Sequence, residues 1–315
     1  SGLKRKAKSL DDFLAVPMSS PSSGPTSDSK SITANVWEVY DFVQPLGSGT
    51  FGVVREVKPK QGKQRFAVKT IPVAADIEMV LMLKLEHEHV VRLEHAILEA
   101  QEMHLIMELC SGGDLQAWID ALWVNDSAGK RQFGSPSTSQ VATFSHQMLS
   151  AVAYIHHLSI AHRDIKPSNW LIRSKGSILP VLKLSDFGLA STFHPGELMS
   201  KICGSMIYMA PEVFWKSYTE LCDIWSLGLV IQEIVCGKPL FGKLSKTAVE
   251  KNVCGSEINL DQMGWTCHGP WLKPWVQQML VKESVGRPSA LHALDHPQMH
   301  HAKQKSQGSC QCTVS

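Results

Sequence analysis

Residues 162–169 read HRDIKPSN. The stretch sets an acid, Asp164, two positions before a cation, Lys166, and five before an amide, Asn169, with Pro167 among them. One short loop thus holds a base, a positive charge and a metal-type oxygen ligand. Its meaning depends on what the rest of the chain supplies.

The 315 residues suit one large or two modest domains, and 43% hydrophobic with 19% charged residues is an ordinary globular balance. A formal charge of +2 argues against a bulk nucleic-acid binder, which shows a strong basic excess. No run of about 18 apolar residues marks a membrane span. The basic, Ser/Pro-rich start lacks the apolar core of a secretory signal, and the first residue is Ser1 rather than Met, as in a fragment. The eight cysteines are scattered without a CxxC pair, which suits reduced thiols in a cytosolic protein.

Residues 1–36 are expected to form a disordered extension, because PMSSPSSGPTSDSKS has too little apolar surface to order itself. Within it, KRKAK at Lys4–Lys8 is a solvated tail or a nuclear signal. From Trp37, the stretches WEVYDFVQPL, GVVREVK and QRFAVKTI read as strands, the last two joined through PKQGKQ with Pro59 and Gly62 as turn residues. VAADIEMVLMLKLEHE then has a helical pattern, with apolar residues at 77, 80, 81 and 85, and VVRLEHAILEA and MHLIMEL are further strands. After SGGDL the chain turns helical. TSQVATFSHQMLSAVAYIHHLS starts with Thr138 and Ser139 as N-cap candidates, and DIWSLGLVIQEIVCG is apolar nearly all round, as a buried core helix would be. PWVQQMLV and SALHALDH are shorter helices, and WVNDSAGKRQFGSPS, from Trp123 to Ser137, reads as a polar surface loop.

Three further motifs bear on the opening loop. LGSGTFGVV, Leu46–Val54, carries Gly47, Gly49 and Gly52, and backbone without side chains can close over phosphates and donate N–H groups to them. Strands follow these glycines rather than a helix, which argues against a dinucleotide fingerprint. FAVK sets Lys69 at the end of an apolar strand, pointing toward the space under the glycines. LSDFGLA, at 184–190, adds a second acid, Asp186. Phosphoryl transfer needs positioning and charge neutralisation more than covalent work by the protein. An acid to take a hydroxyl proton, a lysine near the moving phosphate, and Asn plus Asp for magnesium together meet that need.

With APE at 210–212, DIWSLG at 223–228 and GRPSALHALDHP around Arg287, the ordered set resembles the eukaryotic protein kinase family over residues 37–299. The wording of MELCSGGDL, ICGSMIYMAPE and RPSALHALDHP is most similar to the calcium/calmodulin-dependent group. The resemblance implies an α+β, bilobal protein-kinase fold. Residues 37–109 would be a small β-rich N-lobe with one helix, 110–299 a larger, mainly helical C-lobe, and 300–315 a flexible tail. It implies transfer of the ATP γ-phosphate, with Mg²⁺, to Ser or Thr of protein substrates. Asp164 would be the catalytic base and Lys166, the mark of Ser/Thr-directed members, would neutralise the phosphate. Asn169 and Asp186 would bind Mg²⁺, and Lys69 would hold the α/β-phosphates. The nucleotide would meet Leu46, Gly47, Ser48, Gly49, Thr50, Phe51, Gly52, Val54, Ala67 and Leu171. Met107 would be the gatekeeper, with backbone of Glu108 and Cys110 at the adenine. Asp114 stands where relatives keep an acid that contacts ribose or a basic substrate residue. Glu212 and Arg287 would form a buried ion pair.

Glu78 falls at the position that pairs with Lys69, although nine residues is a shorter connection than most relatives have. A helix from Val73 to Lys84 would span about 18 Å, with a clipped N-terminal end; alternatively, Glu78 is a solvated helix residue. Arg163 occupies the position that pairs with an activation-loop phosphate in such enzymes, and Ser191, Thr192 and Ser200 are candidate acceptors for an activating kinase, Ser200 foremost. Ser205 reads as structural, and Ser168 replaces the acid of many basophilic relatives, so a preference for basic substrates does not follow. No DxDxDG loop is present, so calcium binding by this chain is not expected. The end, Cys312-Thr313-Val314-Ser315, fits a prenylation pattern, with Cys310 as a second lipid site. The expected location is cytoplasmic, with peripheral membrane attachment only through lipidated Cys312. Two other readings stand beside an active enzyme: a pseudokinase scaffold of the same fold that binds ATP weakly, and a small-molecule kinase, against which the APE segment argues.

Overall fold

The computed structural model describes residues 35–300, except 50–51, 74–75, 177–179, 243, 256 and 262–263. Residues 1–34 and the lipidation candidates Cys310 and Cys312 lie outside the described residues. The chain divides into two compact units: residues up to Glu86 with Val91–Leu109, and His87–Val90 with Cys110 onward.

The first unit opens with a single helical turn, α1 (Val36–Val39), capped by the Asn35 side chain, which accepts the Trp37 N–H. A strand was expected from Trp37, but the Asn35 cap favours a helical turn and the strand starts at Tyr40. Val36, assigned from the sequence to the disordered extension, is fully buried with Tyr40, Val57, Val68 and Ile106. Its N–H donates to Glu99 at 2.8 Å. Five strands follow: β1 (Tyr40–Gly49), β2 (Gly52–Pro59), β3 (Phe66–Pro72), β4 (Leu93–Leu98) and β5 (Glu102–Glu108). They form one antiparallel sheet in the order β1-β2-β3-β5-β4. Alternation along β3 puts Phe66 and Val68 on the core face with Val36, and Ala67 and Lys69 on the other. Helix α2 is Asp76–Met82, shorter than the expected Val73–Lys84. It buries Met79, Leu81 and Met82; of the expected apolar positions Leu81 and, just beyond the helix, Leu85 are buried, whereas Val80 is exposed.

The second unit is mainly helical. It contains α3 (Leu115–Ala121), α4 (Thr138–His157), α5 (Pro211–Phe214), α6 (Leu221–Cys236), α7 (Lys246–Gly255), α8 (Leu272–Met279) and α9 (Ala290–Leu294). The cap of α4 is Ser137, one residue before the candidates Thr138 and Ser139; a reciprocal capping box with Gln140 decides it. Helix α6 is buried from Cys222 to Cys236, which its all-round apolar sequence requires. Among the described residues no helix is long and apolar enough to cross a membrane.

The expected surface loop after Trp123 is instead a β-hairpin, β6 (Trp123–Asn125) with β7 (Arg131–Phe133). Asp126 closes its turn by accepting the N–H groups of Ala128 and Lys130 at 3.0 and 2.8 Å. The Trp123 ring lies 5.3 Å from that of Phe133, and its Nε1–H donates to Gly237 O at 2.8 Å. Aromatic burial against the end of α6 thus holds down a segment whose composition is otherwise that of a loop. Among the described residues three short strand pairs complete the unit's topology. The remaining two are β8 (Ile160–Ala161) with β11 (Ser191–Thr192), and β9 (Trp170–Ile172) with β10 (Leu182–Leu184).

Candidate functional site

In the first unit the glycine stretch forms the hairpin between β1 and β2, pairing Gly47 with Val54, Ser48 with Val53 and Gly49 with Gly52. Thr50 and Phe51, at its tip, lie outside the described residues. Gly52 is required sterically. Its φ is +146°, and a Cβ there would stand 2.0 Å from Thr70 O, on the strand that carries Lys69. A Cβ at Gly47 would meet nothing within 4 Å. Gly52→Ala is therefore expected to cost about 1–3 kcal/mol and lower the melting temperature by roughly 2–12 °C. Gly47→Ala should leave it within about 1 °C. Thermal unfolding of the two variants checks this, and equal shifts would contradict the steric argument.

Val54 faces Lys69 across β2–β3, Lys69 faces Leu105 across β3–β5, and Ala67 faces Met107. These five side chains share one face of the sheet. Four were expected there. Leu105 was missed, although it lies two residues from Met107 and period-2 alternation would have found it. Leu46 is exposed on β1. The Glu108 N–H already donates to Arg92 O at 3.0 Å. Lys69 Nζ donates to both oxygens of Glu78, at 2.7 and 2.9 Å, and both side chains are buried. The short nine-residue connection therefore does not prevent the pair, and the solvated alternative for Glu78 does not hold. Charges taken out of water need such a partner, since removing either one leaves an uncompensated buried ion.

In the second unit the loop His162–Asn169 is built on Asp223, a fully buried carboxylate at the start of α6. Asp223 Oδ2 accepts the His162 N–H at 2.8 Å and Oδ1 the Arg163 N–H at 2.8 Å. His156 Nε2 lies 2.9 Å from Oδ2. Burial pushes the Asp223 carboxyl up, but the hydrogen bond and charge of His156, with His162 beyond, outweigh it and hold the group below its ordinary value. Arg163 is thereby kept in the left-handed region at φ 65°. Asp223 lies in the DIWSLG motif but is not among the residues to which that motif assigns a role in the sequence. Its signal was an acid inside a run otherwise apolar all round, which must find donors to be buried.

Asp164, nearly buried, is oriented at both oxygens. Oδ1 accepts the Ser205 N–H at 2.8 Å, and Oδ2 accepts Lys166 Nζ at 2.7 Å and Asn169 Nδ2 at 3.3 Å. Lys166 also donates to Ser205 Oγ at 3.0 Å, giving that serine the structural part expected of it. Asn169 Nδ2 donates to Asp164 O at 2.8 Å, so its carbonyl oxygen is the atom turned to other partners. Asn169 O accepts both the N–H and the hydroxyl of Ser185 at 2.9 Å, which fixes the residue before Asp186 against the loop. Asp186 adopts φ 61°, a strained state for a non-glycine residue and common at functional sites. Phe187 beside it is fully buried, its ring 5.0 Å from that of His162.

Asp114, expected to contact ribose or substrate, is the N-cap of α3, its Oδ1 accepting the Ala117 N–H at 2.7 Å. Leu171 lies on β9 opposite Lys183, and Cys110 is half-buried. Arg287 and Glu212 form the buried pair, with NH2 2.7 Å from Oε2.

A buried Lys–Glu pair under a glycine hairpin, and an Asp–Lys–Asn loop tied to a second Asp, are the features by which sequence comparison can be judged. The family described as protein kinase domain matches residues 40–299. Calcium-dependent protein kinase 9 of Oryza sativa subsp. japonica is 34% identical over 278 residues, 85% of this chain and 46% of that protein. Calcium-dependent protein kinase 12 of Arabidopsis thaliana is 32% identical, over 84% of this chain and 54% of its own length. Serine/threonine-protein kinase 33 of Mus musculus is 29% identical, over 84% and 55%. The chain thus spans about half the length of these relatives. With the match running from the first strand to the last helix, the chain belongs to the protein kinase domain family.

Proposed function

We propose that this chain is a Ser/Thr protein kinase that transfers the γ-phosphate of ATP to hydroxyls of protein substrates. The observation that carries the reading is the loop in which Asp164 is held by Ser205, Lys166 and Asn169 at once. In this reading Asp164 accepts the proton of the substrate hydroxyl as oxygen attacks phosphorus. Lys166, already 2.7 Å from Asp164, is the counter-charge for the phosphate in transit. Lys69, aligned by Glu78, engages the α- and β-phosphates, and the Gly47–Gly52 hairpin supplies backbone N–H groups.

The donor set suits Mg²⁺, which takes few protein oxygens and leaves its other positions to phosphates and water. Among the described residues no group of three or more His, Cys, Asp or Glu side chains could form a denser metal cage. Asn169 and Asp186 would hold the ion, and when bound it would neutralise phosphate charge. The intact Lys69–Glu78 pair supports an active enzyme over a scaffold that merely binds nucleotide.

The test is Mg²⁺-ATP transfer to a mixed Ser/Thr peptide library, with Lys69→Met as control. Phosphate on Ser or Thr is expected, reduced at least about 10²-fold in the control. ATP binding with no transfer by the unmodified chain would favour the scaffold.

A further inference from the structure

The segment from Leu189 to Tyr218 is anchored at several points by groups of the protein itself. At its start Ser191 and Thr192 pair with Ala161 and Ile160 as β11 and β8. In its middle Met199 and Tyr218 exchange both backbone hydrogen bonds, at 2.8 and 3.1 Å. Toward its end Gly204, at φ 103°, lies so close to the loop that a Cβ would stand 2.4 Å from Arg163 O, and Ser205 binds Asp164 and Lys166.

Arg163 sits among these anchors. From its place in the motif it was expected to meet a phosphate on Ser200, Ser191 or Thr192. Three of the five guanidinium N–H groups are directed to protein oxygens. Nε donates to Leu189 O at 2.8 Å, NH2 reaches Ala190 O at 3.5 Å, and NH1 donates to the Tyr218 hydroxyl at 3.4 Å. The Tyr218 hydroxyl passes its own proton on, donating to Lys201 O at 2.6 Å. Tyr218 is 1% exposed, and burial pushes its phenol up to about 12 despite the opposing pull of the Arg163 hydrogen bond. It therefore remains a donor at neutral pH. A phosphate orders such a segment by offering arginine a set of acceptor oxygens. Here two carbonyls and a phenol offer them.

We propose that Tyr218 takes the place of an activating phosphate, bridging Arg163 to the segment at Lys201, so that this chain is active without phosphorylation of Ser191, Thr192 or Ser200. The inference rests on the kinase reading above. Tyr218 acts as a positioning residue: it holds the stretch whose far end, Gly204–Ser205, orients Asp164.

The test uses the full chain, untreated and after phosphatase treatment, with phosphate content read by mass spectrometry and transfer read on the Ser/Thr peptide library. A variant with Ser191, Thr192 and Ser200 all changed to Ala prevents rephosphorylation during the assay. The phosphate-free chain and this variant are expected to keep transfer within about twofold of the untreated protein. Tyr218→Phe, which loses both the acceptor for Arg163 and the donor to Lys201, is expected to lose roughly tenfold. Its amide hydrogen exchange should rise in residues 197–204 alone. Transfer by the untreated chain that vanishes on dephosphorylation overturns the inference and leaves the kinase reading standing. Absence of transfer in every state, with ATP still bound, overturns both. Undiminished transfer by Tyr218→Phe, or faster exchange spread over the whole chain, overturns the part given to Tyr218. The phosphatase comparison needs no variant and decides the matter if Tyr218→Phe does not fold.

Discussion

Asp164→Asn is expected to lower phosphate transfer at least about 10³-fold while ATP affinity stays within about threefold. The size follows from what the carboxylate does and what the amide cannot do. Asp164 has two oriented oxygens, one accepting the Ser205 N–H and the other Lys166 and Asn169. Asparagine keeps one acceptor and places an NH₂ group on the other side. If its oxygen faces Ser205, the NH₂ points at the Lys166 ammonium, and donor meets donor. The variant thus loses the proton acceptor and misaligns the lysine at the same time. ATP affinity is spared because Lys69 and the glycine hairpin belong to other elements and keep their own partners. Some stability is lost as well, about 1–3 kcal/mol for the unpaired polar contacts, which leaves a folded protein to assay. Steady-state transfer and ATP titration by calorimetry measure the two quantities separately. Transfer within tenfold of the unmodified chain would remove Asp164 from the role of base. Lost ATP binding would mean that the substitution had disturbed more than this loop.

Much of this site was legible because its residues sit in short ordered motifs with chemistry of their own. HRDIKPSN and LSDFGLA offer two acids, a cation and an amide suited to phosphoryl transfer without reference to any fold. Lys69 was legible from the apolar strand before it, and α6 from apolar character on every side. What escaped depended on partners distant in sequence. Trp123 and Phe133 bracket a polar stretch that looks like a loop until Gly237, more than 100 residues on, gives Trp123 an acceptor. Val36 ends a Ser/Pro-rich run and has no local reason to be buried; Tyr40, Val57, Val68 and Ile106 supply the reason. The contacts of Arg163 are of the same kind. Its motif suggests a phosphate partner and gives no sign of Leu189, Ala190 and Tyr218, which accept from three of its N–H groups. Two misses were avoidable. The Ser137–Gln140 spacing is a capping box visible in the sequence, and Met79 and Met82 lie at the i, i+3 spacing of a buried face.

Arg287→Ala is expected to cost about 3–5 kcal/mol and to lower the melting temperature by about 6–20 °C, without any contact to the reacting groups. The Arg287 guanidinium has five N–H donors. All five are used. NH1 and NH2 each donate to a Glu212 oxygen, Nε donates to Val281 O at 2.6 Å, NH1 to Leu221 O at 3.1 Å and NH2 to Lys282 O at 2.9 Å. The Trp225 ring centroid lies 5.1 Å from the guanidinium carbon. One side chain thus joins the APE helix, the start of α6 and the turn after α8. Truncation leaves the buried Glu212 carboxylate without its cation and three carbonyls without donors. Against a total stability of about 5–15 kcal/mol, that is a large fraction. Arg287→Lys should recover little, because three donors on a point charge cannot reproduce the planar fork. Glu212→Leu combined with Arg287→Met should recover part of the loss, since no unpaired charge then remains buried. Thermal unfolding of the four proteins separates the terms. A shift below about 2 °C for Arg287→Ala would mean that the network is dispensable. A double variant no better than Arg287→Ala would assign the cost to the carbonyls rather than to the stranded carboxylate.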